Sequence, residues 1–181
     1  MPAVKYTTSV FIDVSNVIKH VTDEFPEVRG GWEQFNWSPF ISSIRNSLPF
    51  PRSLTMKAYM SSSGPGRANQ FQLEAKRALE REGVEVFLLG RQEADPVIER
   101  DLKHLYETSL STRNRRDPEK RKIYIVLVSG DADFLPALQK MNRDDIHLSV
   151  WAWEHAMSRE LLNFADSTTY IDLAVPNFIK P

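Results

Sequence analysis

The chain has 181 residues, 41% of them hydrophobic and 26% charged, which suits one domain with a proper buried core. A formal net charge of −1 argues against a protein that holds nucleic acid by bulk charge alone, though not against an enzyme with acids in its site and bases around it. The absence of cysteine excludes disulfides and thiolate metal sites and fits an intracellular, cytoplasmic location. Met1 to Lys5 run straight into a strand pattern, so no signal peptide is expected, and no apolar run approaches the ~20 residues of a bilayer span.

Strand and helix patterns alternate along the chain. Tyr6 to Asp13 reads as a strand from its β-branched content, and Val14 to Glu24 as a short helix. Gly30-Gly31-Trp32 interrupts. Ser38 then caps an expected helix over Pro39 to Ser47, ended by Pro49 and Pro51. Leu54 to Met60 is the second strand. Phe71, Ala75, Ala78 and Leu79 give Arg67 to Glu82 a helical period, and Gly83 stops it. Val84 to Leu89 is the third strand. Asp95-Pro96 opens a helix that runs to about Leu110, and Ser111 to Arg121 is a polar, basic connection. Ile123 to Val128 is the most apolar strand and is expected at the centre, buried on both faces. A helix over Phe134 to Asn142, a strand over His147 to Trp151, a helix over Ser158 to Phe164 and a short strand over Thr168 to Ile171 follow. The tail from Pro176 to Pro181 is expected at an edge or disordered. The alternation implies one three-layer α/β/α sandwich over residues 1–181, its core spanning about 6–173 and its tail 174–181, around a mostly parallel sheet of five to six strands.

In such sheets ligands bind beyond the carboxyl ends of the strands. Here those ends read Asp13, Ser61-Ser62-Ser63-Gly64, the run from Gly90 to Asp95, and Ser129-Gly130-Asp131-Ala132-Asp133. The fold would gather Asp13, Asp95, Asp131 and Asp133 at one rim. Any one of them is explained as a helix cap, but four at one rim are harder to explain that way. Carboxylates about 4 Å apart repel by about 4 kcal/mol per pair at an effective dielectric near 20. A hard divalent cation, Mg²⁺ or Mn²⁺, relieves that repulsion. Gly130 is expected to allow the tight turn from strand to helix. Asn16 hydrogen-bonds an acid or caps the first turn of its helix. Asp101 lies six residues after Asp95 and so on another face of the helix, whereas Glu99 shares the face of Asp95.

The Phe11-Ile12-Asp13-Val14-Ser15-Asn16 opening and the Val128-Ser129-Gly130-Asp131-Ala132-Asp133-Phe134 segment resemble the NYN domain, a branch of the PIN-like nucleases. Glu93-Ala94-Asp95 through Asp101 keeps the family's interval between two aspartates but lacks its Lys-Gly. Ser158 to Asp166 resembles the family's closing helix. The resemblance implies a PIN-like fold and a Mg²⁺- or Mn²⁺-dependent nuclease acting on RNA. It implies Asp13, Asp95, Asp131 and Asp133 as catalytic, metal-binding acids and Asp101 as a further metal ligand. Asn16 and Ser129 would support them from behind.

Phosphates need cations at the rim. Arg67, Asn69, Arg91 and Lys103 are the candidates for nucleic-acid contact, with His104 within reach of the groove. The basic run from Arg113 to Lys122 enters the central strand at the opposite edge and reads as a solvated loop. The four histidines lack metal-ligand spacing. Trp32, Trp37, Trp151 and Trp153 read as packing residues; Trp32 and Trp37 also suit a partner surface. The loop at Ser62 to Arg67 is no phosphate loop, because it lacks the Gly-Lys-Ser/Thr ending. An adhesion-type metal site would need a serine at Val17, and a dehalogenase-type phosphatase an aspartate at Ser15. The remaining alternative is a silent NYN-type module that binds RNA or a protein partner without cutting. No membrane partner is expected, and a homodimer is compatible with the sequence.

Overall fold

The computed structural model describes residues 6–24, 35–48, 53–61, 70–90, 92–113, 122–173 and 178. Among them β1 (Tyr6–Asp13), β2 (Leu54–Met60), β3 (Glu85–Leu88), β4 (Lys122–Val128), β5 (Ile146–Ala152) and β6 (Ser167–Tyr170) form one sheet. All neighbours run parallel, in the order β3-β2-β1-β4-β5-β6. The chain lays strands outward from β1 to one side, returns to place β4 beside β1, and continues to the other side. The strand order therefore reverses between β1 and β4, and the crevice beyond their carboxyl ends is where ligands bind in doubly wound sheets.

Period-two alternation along the central strands explains why helices cover both faces. Val10 and Ile12 of β1, with Val126 and Val128 of β4, pack under α1 (Val14–Glu24), α2 (Trp37–Ser47) and α3 (Gln70–Arg81). Phe11, Ile123, Ile125 and Leu127 pack under α4 (Asp95–Arg113), α5 (Leu135–Leu138) and α6 (Arg159–Phe164). Both faces of β4 are buried, as its apolar run predicts. The α2 helix buries Trp37, Phe40, Ile41 and Ile44, which at about 1.5–3 kcal/mol per large apolar side chain is the main reason that it forms.

Several boundaries differ from the sequence reading. The second helix starts at Trp37 rather than Pro39, with Asn36 in the capping position and no side-chain cap bond. Pro39 is tolerated because the first turn leaves its backbone N–H groups unbonded anyway. The helix expected over Phe134 to Asn142 shrinks to a 3₁₀ turn at Ala132–Phe134 followed by the four residues of α5. Asn142 breaks it: its N–H goes to the Tyr106 hydroxyl and its Oδ1 accepts the Asp144 N–H, which turns the chain into β5. The α4 helix runs on to Arg113, so the basic connection is shorter than expected, and 114–121 lie outside the described residues. In the tail, Phe178 is fully buried among Phe35 and Phe40, and its carbonyl accepts the Asn36 N–H; it is core, not a loose edge. Trp37, Trp151 and Trp153 are buried packing residues, and Trp32 lies outside the described residues. No helix among the described residues is long and apolar enough to cross a membrane.

Candidate metal centre

The register of β1 against β4 builds the centre. Ile12 pairs with Val128, so Asp13 stands one residue further, level with the point where β4 gives way to Ser129. The α1 helix begins at the next residue, Val14, which fixes the Asp13 side chain at the helix start. Its Oδ1 accepts the Asn16 N–H at 3.1 Å. Asp13 is only 6% exposed. Burial, chiefly, pushes its carboxyl up from 3.8 to about 6; the N–H groups of Asn16 and Ser15 oppose this, and the charges of Asp95 and Asp131 add to it.

The loop after β4 is held from both sides. The Gly130 N–H donates to Asn16 Oδ1 at 3.4 Å, and the Gly130 carbonyl accepts the Ser158 N–H at 2.9 Å. The Asp131 N–H donates to Ser129 Oγ, and Asp131 Oδ1 in turn accepts the Asp133 N–H at 3.1 Å. Gly130 does not take a left-handed backbone, which corrects the turn argument from sequence; only Gly83 and Gly90 have positive φ among the described residues. Glycine is required at 130 for another reason. A Cβ there would lie 2.3 Å from the Ala156 carbonyl oxygen.

Asp95 is the first residue of α4, one place inside the helix, with Ala94 accepting the first bonds from Val97 and Ile98. It approaches the β4 loop closely: one carboxylate oxygen each from Asp95, Asp131 and Asp133 lie within 4.8 Å of one another. Burial raises the Asp95 carboxyl, and the charges of Asp131, Asp133, Glu93 and Glu99 raise it further. Capping accounts for Asp13 and Asp131, which accept backbone N–H groups at helix starts. It does not account for Asp95 or Asp133, whose carboxylates accept no hydrogen bond among the described residues.

Asp101 stands elsewhere. Lys57 Nζ and the Tyr59 hydroxyl, both from β2, donate to its Oδ2 at 2.8 and 2.9 Å, and Arg100 reaches its Oδ1. Burial raises its carboxyl, but the Lys57 and Tyr59 bonds and the Lys57 charge outweigh that and hold it below the usual range. The ion pair pins the middle of α4 to the sheet and so orients Asp95, a turn and a half away. Lys57→Met is expected to cost about 1–2 kcal/mol in chemical denaturation, the scale of a lost charge-assisted bond at a partly exposed site. Lys103, on the same helix, faces Glu107 at 3.8 Å in solvent. Arg67, Asn69 and Arg91 lie outside the described residues. Histidines widely separated in sequence do meet: His20 of α1 and His155, after β5, bring ring nitrogens to 3.0 Å. Spacing gave no sign of this, because the contact depends on how the 153–158 connection crosses α1.

The fold and this site define a doubly wound α/β protein with convergent carboxylates at its strand-order reversal. The family model of the NYN domain, a PIN-like nuclease domain, matches residues 113–173, from the last residue of α4 to just past β6. That stretch carries Asp131 and Asp133, and over it the resemblance read from the sequence is confirmed. Among solved structures, a protein of unknown function from Vibrio parahaemolyticus is similar in fold, with a TM-score of 0.66 at 19% identity over 99% of both chains. Among curated proteins, none matches the chain.

Proposed function

We propose that the chain is a Mg²⁺- or Mn²⁺-dependent nuclease that hydrolyses phosphodiester bonds, with RNA as its substrate. The observation that carries this is the convergence of Asp95, Asp131 and Asp133 oxygens within 4.8 Å, beside buried Asp13. The donor set fits such an ion: every group is a hard carboxylate oxygen, and no thiolate or imidazole belongs to the cluster. Asp95, Asp131 and Asp133 would hold it, with Asp13 completing the negative wall. A bound divalent ion supplies positive charge at a scissile phosphate and acidifies its water.

The chain's own residues do the rest. Asn16 joins the two strand ends, its N–H on Asp13 and its Oδ1 on Gly130, and fixes the spacing of the acids across the crevice. Ser129 orients Asp131 through the backbone. Asp101 fixes the helix that carries Asp95 rather than serving as a donor itself. The test is cleavage of a labelled single-stranded RNA in Mn²⁺, in EDTA, and by an Asp131→Asn variant. Cutting should require Mn²⁺ and fall at least about 10²-fold in the variant, a few kcal/mol at the transition state. RNA that is bound but never cut would leave the silent-module reading standing instead.

Metal uptake should depend on pH in a set direction. The Asp13 carboxyl holds its proton up to about pH 6, so an incoming cation competes with that proton below 6 and not above it. Mn²⁺ affinity measured by calorimetry is expected to be at least several-fold higher at pH 7.5 than at pH 5.5. Equal affinities at the two pH values would remove Asp13 from the centre.

A further inference from the structure

The cations proposed from sequence to meet the substrate are paired or lie outside the described residues, yet a nuclease site needs a positive contact for the strand it holds. The connection after β5 supplies one. Ser158 donates its backbone N–H to Gly130 at 2.9 Å, and its Oγ accepts the Leu161 N–H and caps α6. The next residue is Arg159. A single backbone bond thus ties its position to the loop that carries Asp131 and Asp133, and the Ser158 cap fixes where α6 begins beside that bond.

Side chains on a helix tilt toward its N-terminus, so Arg159 tilts toward the Ser158 end of α6, the end tied to Gly130. Arg159 is exposed and has no acidic partner among the described residues. Arg100, Lys103 and Arg143, on the same side of the sheet, are already committed to Asp101, Glu107 and Asp166. Glu160 follows about 100° further round the helix and so points elsewhere.

We infer that Arg159, docked through Ser158 onto Gly130, holds a backbone phosphate of a single-stranded RNA next to the acid cluster. The strand then passes over the β5–α6 side of the crevice. A guanidinium suits this because it forks onto phosphate oxygens and stays charged at every working pH. The inference rests on the nuclease reading.

The experiment is fluorescence anisotropy of a labelled single-stranded RNA across a KCl series, in Ca²⁺ in place of Mn²⁺. Wild type, Arg159→Ala, Arg159→Lys and Arg77→Ala are compared, Arg77 being an exposed cation on α3, on the other face of the sheet. Arg159→Ala should weaken binding about tenfold and reduce the log–log salt slope by about 0.7, the value for one lost single-strand phosphate contact. Arg159→Lys should keep the slope, and Arg77→Ala should match wild type. In Mn²⁺, Arg159→Ala should raise KM with little change in kcat. If wild type binds and cuts while Arg159→Ala shows the same Kd and slope, this inference fails and the nuclease reading survives. If wild type neither binds nor cuts, both fall.

Discussion

Asp13→Asn is expected to stabilise the metal-free protein and, at the same time, to abolish the proposed nuclease activity. Asp13 is almost wholly buried, and its carboxyl is raised from 3.8 to about 6. A raised acid favours the folded state when protonated. Its contribution is therefore complete below about pH 4 and is lost as pH climbs through 6. The shift corresponds to about 3 kcal/mol of stability missing at neutral pH. Asparagine carries no charge, and its Oδ1 still accepts the Asn16 N–H, so the helix start is kept. At pH 7 the metal-free variant should melt several degrees above wild type, given about 2–4 °C per kcal/mol for a chain of this size. At pH 4 the two should converge. Mn²⁺ should raise the melting temperature of wild type much more than that of the variant, and RNA cleavage should drop at least about 10²-fold. Thermal melts at pH 4 and 7, with and without Mn²⁺, are enough to check this. A variant less stable than wild type at pH 7 would mean that Asp13 serves the helix start rather than the metal.

Gly130→Ala is expected to be among the most damaging single changes in the protein. The added methyl would meet the Ala156 carbonyl oxygen at 2.3 Å, its carbon at 2.8 Å and the Met157 Cα at 3.1 Å. All three are backbone atoms, so no rotamer change relieves the clash. The 153–158 connection must lift, and with it go the Ser158 bond to Gly130 and the Trp153 Nε1 bond to the Val17 carbonyl. We expect a loss of about 3 kcal/mol or more, above the usual range for one added methylene. Gly90→Ala is the control. Gly90 sits at φ +60° with open space around it, so alanine there costs only about 1–2 kcal/mol of backbone strain. Urea denaturation ranks the two, and a Gly130→Ala protein as stable as Gly90→Ala would show that the connection is not seated as described. Cleavage should fall too, because Gly130 aims Asp131.

Much of this architecture is legible in the sequence, for identifiable reasons. Strand β1 and helix α1 match their expected spans residue for residue, because Tyr6–Asp13 is rich in β-branched and aromatic residues and Asp13 ends the strand where the helix begins. The central place of β4 follows from an apolar run that only a strand buried twice can tolerate. The short α5 was not legible, since Pro136 to Asn142 keeps a helical pattern that an asparagine turn and the Tyr106 hydroxyl override. Nor was burial of Phe178, which depends on a pocket made by Phe35 and Phe40 from the far end of the chain.

The site divides in the same way. The amino-acid sequence by itself determined which acids end strands or open helices, because a carboxylate after a buried run is a local, one-dimensional signal. Only the tertiary structure decided that β4 returns to lie beside β1, which sets the strand-order reversal between Asp13 and Asp131. Helix spacing already put Asp95 and Asp101 on different faces, but only the folded chain gave each its partners, Asp131 and Asp133 for Asp95, Lys57 and Tyr59 for Asp101. The physical reason is that hydrogen bonds act only at contact and charge interactions are screened beyond about 10 Å. What a carboxylate does therefore depends on which strand lies next to it, and strand order is a property of the folded chain.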